Sequence, residues 1–589
     1  MREPKSLYMD LHTVISCAIY DTEQITGLDL SIERSKIWKW DRKTLLTAFG
    51  QQLSLLRAHL ANENSPYVVP TSDTRALAKN YGFSKVKVDV FICGDECRHV
   101  LTKIPAFLSP LWRRWICGGC EDSFASLYAL VNICSKWSEP NASNPDMLDA
   151  YEAQQGAMGR LSIPIDDIRR EINRIIPVDL VPGDLAPVYG PEGASYNHIR
   201  PISRLGLYPS DLRSFLTDGK LHPIWVTPVD CLSINRPAQV PKTWNKDRLI
   251  FVEEEARLNV QQSVRMWLED VTLKVEPKRF DFKDQEFQRS RLQQLGMASI
   301  DLSAASDTIS AGLVFSLLRD RPFLRKACFA SRARTSDGPR HRCYSTMGNA
   351  TTFPIMTIVL SALCASVERS FMADFFGKNR TTFRLKRATV FGDDIVCDQH
   401  IMPRLLSCLQ SLGLVPNANK TYGGRTFKES CGLDLYKQVD VTPLRVTNLF
   451  DLKTNEQCVR LIDLSNRAHR RGLWTLADYV LRLVSTFRRI PVCNHEHQIP
   501  GAAWSFHKDH RDYSAALPGF RWDLNTQQNY VSFARNSTHE IEEDDREVHL
   551  QYYLKRGKRL VQVRDADEAS RIARQSRGPF NSVERKSWN

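Results

Sequence analysis

The chain has 589 residues, with 80 Lys and Arg against 67 Asp and Glu, for a formal net charge of +13; 42% of residues are hydrophobic and 25% charged. That balance excludes a disordered or fibrous chain and allows a large core, with roughly four domains expected at about 150 residues each. A pI near 9.0 favours an anionic partner, nucleic acid first.

The start, Met1-Arg2-Glu3-Pro4-Lys5, has no apolar segment behind it, so no cleaved secretory signal is expected. The 15 cysteines are scattered and odd in number, which argues against a disulfide framework. Cys93, Cys97, Cys117 and Cys120, with His99 and Cys134 nearby, read either as a structural zinc site or as free thiols. Trp38-Lys39-Trp40 and Trp112-Arg113-Arg114-Trp115 read either as base-stacking platforms or as packing anchors. Ile165, Ile168, Ile172 and Ile175 share one face of a helix over 165–176. Pro177, Pro182, Pro187 and Pro191 then mark an extended boundary.

Beyond residue 245 the patterns sharpen. A helix is expected over 254–274, a short strand over 297–302, and a helix over 308–319 capped by Ser306 or Asp307. Tyr344 to Val367 contains no charged residue. Its polar first half and the shortness of its apolar part predict a loop followed by a buried helix, with no membrane span. Residues 387–397 read as a hairpin turning at Gly392-Asp393, and 402–413 as a helix. Glu540 to Glu547 is acidic, and from Lys555 onward ten Lys and Arg face four Asp and Glu, which reads as a solvated surface or an RNA-contacting tail.

Three carboxylates stand at expected strand ends: Asp301 closes the short strand, and Asp393 and Asp394 occupy the hairpin tip. Carboxylates gathered in this way repel one another unless hard divalent cations sit between them. Two such ions about 4 Å apart suit in-line phosphoryl transfer. Gly-Asp-Asp alone is common in surface turns. Its companions are the basic run Pro241 to Arg248, the uncharged loop Ser345 to Thr352, Asn419-Lys420, and Phe427 to Gly432.

In this order and spacing the blocks resemble the palm motifs of viral RNA-dependent RNA polymerases, and more narrowly the replicase β subunit of small RNA bacteriophages (leviviruses, Qbeta-like). Ile300 to Asp307 resembles motif A, Ser345 to Thr352 motif B, Phe391 to Ile395 motif C, Asn419-Lys420 motif D, and Phe427 to Gly432 with Val439 to Pro443 motif E. Lys242, Lys246 and Arg248 fall on motif F. The similarity runs from about 240 to 475. Phe391 replaces the usual Tyr, and Met356 stands near the usual motif B Asn. That leaves Asn349, Thr352 and Ser345 as partners for Asp307.

The resemblance implies an α+β right-hand polymerase with an antiparallel palm sheet backed by helices. Residues 1–190 would contribute to fingers or bridging, 191–296 fingers, 297–440 palm with a fingers insertion around 320–342, and 441–589 thumb and a bridging segment. It implies template-directed RNA synthesis on an RNA template in the cytoplasm of an infected bacterium, with two Mg²⁺ ions or Mn²⁺ in their place. Asp301 and Asp393 would ligate the metals, with Asp394 assisting. Lys242, Lys246 and Arg248 would hold the triphosphate, and Lys420 would protonate the leaving pyrophosphate. Asp307, Ser345, Gly348 and Asn349 would contact the nucleotide. The implied partners are RNA, nucleoside triphosphates, bacterial elongation factors Tu and Ts and a ribosomal protein, with no membrane.

Two rivals are weighed against this. A reverse transcriptase lacks reason for an acidic 2′-OH acceptor at Asp307. A non-catalytic RNA-binding protein has no use for three carboxylates that repel phosphate. No P-loop run occurs in the sequence.

Overall fold

The computed structural model describes residues 9–61, 88–92, 101–105, 107–116, 119–137, 146–158, 164–181, 234–243, 246–253, 255–336, 340–376, 386–423, 426–447, 455–485, 492–494, 503–505, 521–523, 528–535 and 582–588. They form an α+β arrangement in which helices surround small, mostly antiparallel sheets. Two large hydrophobic cores organise it.

The first core begins with helix α1 (Leu11–Thr26). The Asp10 carboxylate caps its start by accepting from the Thr13 N–H at 3.0 Å, and Gly27, at φ 65°, ends it in the left-handed region. Leu11, Val14, Ile15, Ala18 and Ile19 form one buried stripe. Helices α2 (Ser31–Ile37) and α3 (Arg42–Ala61), the hairpin β1 (Val88–Ile92)–β2 (Leu101–Pro105), and helices α4 (Ser109–Ile116) and α5 (Glu121–Asn132) follow. Trp112 and Trp115 are packing anchors: both are buried, and their indole N–H groups donate to Gln52 (2.6 Å) and Tyr436 (3.1 Å). Trp40 packs edge-on against Phe107, while Trp38 is exposed and stacks on His12.

Helix α6 (Asp146–Ala157) leads to α7 (Asp166–Ile175), whose Ile168, Ile172 and Ile175 are buried as the periodicity predicts. Asp166 and Asp167 in its first turn and Arg174 in its last complement the helix dipole. Strands β3 (Ile234–Thr243) and β4 (Lys246–Val252) form an antiparallel ladder with an irregularity between Pro241 and Thr243. Then come α8 (Glu255–Val275), α9 (Glu286–Leu292), β5 (Met297–Ile300), β6 (Leu302–Ser303), α10 (Ala305–Thr308), α11 (Ala311–Leu317), α12 (Pro322–Ser331) and β7 (Thr335–Ser336). The strand expected over 297–302 is therefore interrupted at Asp301. The helix expected over 308–319 is two short helices, and its cap is neither Ser306 nor Asp307. The Ser310 hydroxyl accepts from the Leu313 N–H at 3.1 Å to start α11.

Helix α13 (Thr352–Phe376) is long and apolar enough to cross a membrane, yet two-thirds of its apolar window is buried, against α7 and α8 and the sheet. The hairpin β8 (Thr389–Phe391)–β9 (Asp394–Asp398) pairs with β5 in the order β5-β9-β8, all antiparallel. Ala298, Ile300, Val390, Ile395 and Cys397 enter the second core beneath α13, while Met297 and Val396 face Leu433 and Leu435 on the other side. Both faces of this small sheet are thus covered. Helix α14 (Met402–Ser411), β10 (Val415–Pro416), which pairs with β6, and the meander β11 (Phe427–Ser430), β12 (Leu433–Tyr436), β13 (Val439–Asp440) complete the central region.

Helices α15 (Asn455–Arg470) and α16 (Trp474–Ser485) return to the first core, so segments from 9–137 and 455–485 share it. Residues 168–180 pack instead in the second core, so the stretch 1–190 serves both. Asp21 of α1 caps α16 across the chain, its carboxylate accepting from the N–H groups of Thr475 (3.0 Å) and Leu476 (3.1 Å). Asp21→Ala leaves both buried donors unsatisfied and is expected to cost about 1–2 kcal/mol. Hydrogen exchange at the amides of 475 and 476 should accelerate, less so in Asp21→Asn. Unchanged protection in both variants would contradict this cap.

Candidate active site

The β5-β9-β8 ladder pairs Ile300 with Ile395 and Phe391 with Asp394. Asp301, Asp393 and Asp394 therefore emerge at the same end of neighbouring strands, and all three line one cavity of about 1160 Å³. The Asp301 carboxylate accepts from Asn417 Nδ2 at 3.0 Å and lies 3.6 Å from Lys420 Nζ. Burial pushes its pKa up; Asp393 and Glu429 push the same way, against Lys420 and Asn417. Burial pushes Asp394 up to about 7, although the Cys431 N–H donates to its carboxylate at 2.8 Å. Asp393 is exposed to the cavity.

Burial and mutual repulsion raise Asp301 and Asp394, and a hard divalent cation would relieve both. Among the described residues no group of three or more His, Cys, Asp or Glu is arranged so that it could hold a metal ion by itself. That is compatible with Mg²⁺, which takes one or two carboxylates and completes its shell with water and phosphate oxygens.

Two glycines permit the close packing here. Gly392, at φ 65°, turns the hairpin and donates its N–H to Thr357 Oγ1 at 3.0 Å; a Cβ there would meet the Phe353 ring at 2.6 Å. Gly348, at φ 122°, lies so close to β4 that a Cβ would stand 2.1 Å from the Phe251 carbonyl oxygen. The Phe251 N–H donates to the Met347 carbonyl at 2.7 Å, so the 345–352 loop is laid along β4. The loop's side chains mostly serve the loop. Thr352 Oγ1 donates to Ser345 Oγ (2.8 Å), and Asn349 Oδ1 accepts from the N–H and hydroxyl of Thr351 (2.8 and 2.7 Å). Gly348, Asn349 and Thr352 line the cavity; Ser345 is buried behind its wall.

Asp307 sits in α10 on the same cavity, and burial pushes its carboxyl up to about 6. Ser306 Oγ donates to it at 3.2 Å. Its backbone is held by Gln155 of α6, whose Nε2 donates to the Asp307 carbonyl at 3.0 Å while its Oε1 accepts from the N–H groups of Arg342 (2.9 Å) and Cys343 (2.8 Å).

Cations share the cavity with the carboxylates. Lys242 and Arg248, on the two strands of the β3–β4 ladder, line the cavity with Lys420. The Lys246 side chain lies outside the described residues. Sequence patterns did not single out Gln155, Asn417, Glu429, Arg445, Lys136 or Arg57, all of which border the cavity or fix its walls. Glu429 fell inside the motif E block without a role, and Arg57 and Lys136 are isolated in the sequence from every motif. Cys93, Cys97, Cys117 and His99 lie outside the described residues, and Cys120 and Cys134 are free thiols. The acidic patch and the side chains of the basic tail also lie outside.

A raised carboxyl pKa in the folded state means stability that is present below the ordinary value of 3.8 and is lost as pH rises through about 6. Asp307→Asn should therefore melt higher than the parent at pH 7.5, by about 2–3 kcal/mol at most. The difference should fade below about pH 4. Equal melting at pH 7.5 would mean that Asp307 ionises without penalty.

Residues 227–476 match the family model described as RNA replicase, beta-chain. The RNA-directed RNA polymerase beta chain of Escherichia phage MS2 is 33% identical over 224 residues, covering 36% of this chain and 38% of that protein. The corresponding chain of Enterobacteria phage fr is 32% identical over 259 residues, covering 42% and 45%. The RNA-directed RNA polymerase subunit beta of Escherichia virus Qbeta is 30% identical over 224 residues, covering 37% and 36%. The chain thus matches less than half the length of these relatives. Among solved structures, an insertion-loop deletion mutant of a human picobirnavirus RNA-dependent RNA polymerase aligns with TM-score 0.40 and 11% identity, over 72% of this chain and 91% of that one. The resemblance read from the motifs is borne out over the matched segment.

Proposed function

We propose that this chain, a match to the RNA replicase beta-chain family over residues 227–476, is an RNA-dependent RNA polymerase that copies a phage genome in the cytoplasm of an infected bacterium. The observation that carries the reading is the convergence of Asp301, Asp393 and Asp394 at one sheet end, in a single cavity that Lys242, Arg248 and Lys420 also line. The central sheet would be the palm, with fingers and thumb built from the flanking segments.

Asp301 and Asp393, with Asp394, would hold two Mg²⁺ ions, or Mn²⁺. Such ions activate the attacking 3′-hydroxyl and neutralise charge on the reacting phosphate. Lys242 and Arg248 bind and orient the triphosphate, which is where a reaction governed by positioning and charge gains most. Asn417 steadies the Asp301 carboxylate from the turn that also carries Lys420. Lys420, released from Asp301 once that carboxylate is otherwise engaged, donates a proton to the departing pyrophosphate. Asp307 accepts from the ribose 2′-OH; its sparse hydrogen bonding leaves acceptor capacity for it. RNA template, nucleoside triphosphates and the host proteins implied by the resemblance, elongation factors Tu and Ts and a ribosomal protein, are the corresponding partners.

Nucleotide incorporation by the full chain tests this. Asp393→Asn should abolish synthesis and leave RNA binding nearly unchanged, since affinity resides in Lys and Arg. Retention of more than about a tenth of the activity, a loss of only about 1.4 kcal/mol in barrier, would overturn the metal assignment. In single-turnover runs Lys420→Leu should slow transfer more than Lys420→Arg, and equal rates in all three proteins would remove its proton-donor role. Asp307→Asn should lower the ratio of ribonucleotide to deoxyribonucleotide incorporation; an unaltered ratio would deny it a part in sugar choice.

A further inference from the structure

The family match begins at residue 227, yet part of the cavity wall comes from far upstream. Lys136 lies in the turn that follows α5 and borders the same cavity as Asp301, Lys242, Arg248 and Lys420. It makes no hydrogen bond or salt bridge with any described residue. Its charged surroundings are mostly of its own sign: burial pushes its ammonium pKa down, and Arg445, Arg248 and Lys420 push the same way, with Glu429 opposing. Lys242 is likewise lowered by burial and then by Arg248, Lys420 and Lys136, with Asp301 opposing, and all four cations line the one cavity.

Three of the cavity's other cations have structural partners. Arg445 pairs with Asp434 at 3.2 Å, Lys420 lies 3.6 Å from Asp301, and Arg57 is raised by Glu429. Lys136, Lys242 and Arg248 have no salt bridge among the described residues. Lys136, Lys242 and Arg248 are exposed at this cavity, so their charged groups are open to an anionic ligand that enters it. The cavity lining carries six Lys and Arg and six Asp and Glu, a balance of zero. Two divalent ions on the carboxylates would leave a surplus of about four positive charges, the complement of a nucleoside triphosphate. A single RNA phosphate would neutralise only one of them.

We propose that Lys136 is a polyphosphate-binding residue, contributed by the N-terminal helical unit, that holds the triphosphate of the incoming nucleotide and then the pyrophosphate product. This rests on the polymerase reading above. It makes the N-terminal unit part of the active site in addition to its role as packing around it.

The test compares Lys136→Gln and Lys136→Arg with the parent full chain. Lys136→Gln should raise KM for nucleotide, and the inhibition constant for pyrophosphate, by about tenfold. RNA affinity should stay within about twofold, since one phosphate contact at most is involved. Lys136→Arg should recover most of both constants. Melting of Lys136→Gln should be unchanged or higher, because a repelled cation is removed; a structural lysine would lower it. Unchanged KM and unchanged pyrophosphate inhibition would overturn the proposal. So would weakened RNA binding at constant KM, which would assign Lys136 to the RNA backbone. If the parent incorporates no nucleotide, the polymerase reading fails by itself. Calorimetric titration of magnesium pyrophosphate into parent and Lys136→Gln then decides the anion site: weaker binding by the variant supports it, and equal or absent binding in both overturns it.

Discussion

The pairing of Ile300 with Ile395 is the constraint on which the site depends. These residues sit in a three-stranded antiparallel sheet whose two faces are both buried, one under α13 and the other against Leu433 and Leu435. A slip of one residue would exchange the two faces and place Ala298 and Ile300 where Met297 packs. Register is therefore tightly specified, and with it the place where Asp301 leaves β5 and Asp393 and Asp394 enter β9. The site borrows its precision from apolar packing a few ångströms beneath it.

Above the sheet the chemistry is one of opposed charges that cannot satisfy one another. Burial raises Asp301 and Asp394 and lowers Lys242 and Lys136, so both sets are charged at a cost in desolvation. Lys420 bridges the sets by its approach to Asp301. A ligand that brings cations to the carboxylates and anions to the lysines and arginines would offset both costs.

The β11–β12 hairpin transmits support from the outer helices to this cavity. Tyr128 of α5 donates to the buried Asp434 carboxylate at 2.8 Å, and Arg445 reaches the same oxygen at 3.2 Å. Phe124 stacks on Tyr436 with ring centroids 3.8 Å apart. The turn of this hairpin carries Cys431, whose N–H holds Asp394. Helix α5 and the segment around Arg445 thus brace the element that holds the Asp394 carboxylate. This gives a physical reason for segments outside the replicase-like region to belong to the same folded unit.

The elements legible in the sequence were those whose signal is local. The isoleucine spacing of α7, the apolar run of α13 behind a polar loop, and the Gly392-Asp393 turn between two apolar strands each express a period or a backbone requirement in consecutive residues. The spaced acidic and basic blocks also identified Asp301, Asp393, Asp394, Lys242, Arg248 and Lys420 as a set. The cap of α11 is Ser310 where Ser306 or Asp307 was expected, because all three are good cap residues and only backbone geometry shows which side-chain oxygen meets an orphan N–H. Gln155 holding Asp307, Asn417 on Asp301 and Lys136 beside Arg248 depend on chain segments more than a hundred residues apart, and isolated polar residues have no periodicity to betray them. By itself the sequence determined the local elements and the blocks of acidic and basic residues that meet at the cavity, because those reside in residue type and spacing. Only the tertiary structure decided which distant side chains share the cavity, because that follows from long-range packing of two cores whose contacts leave no trace in adjacent residues.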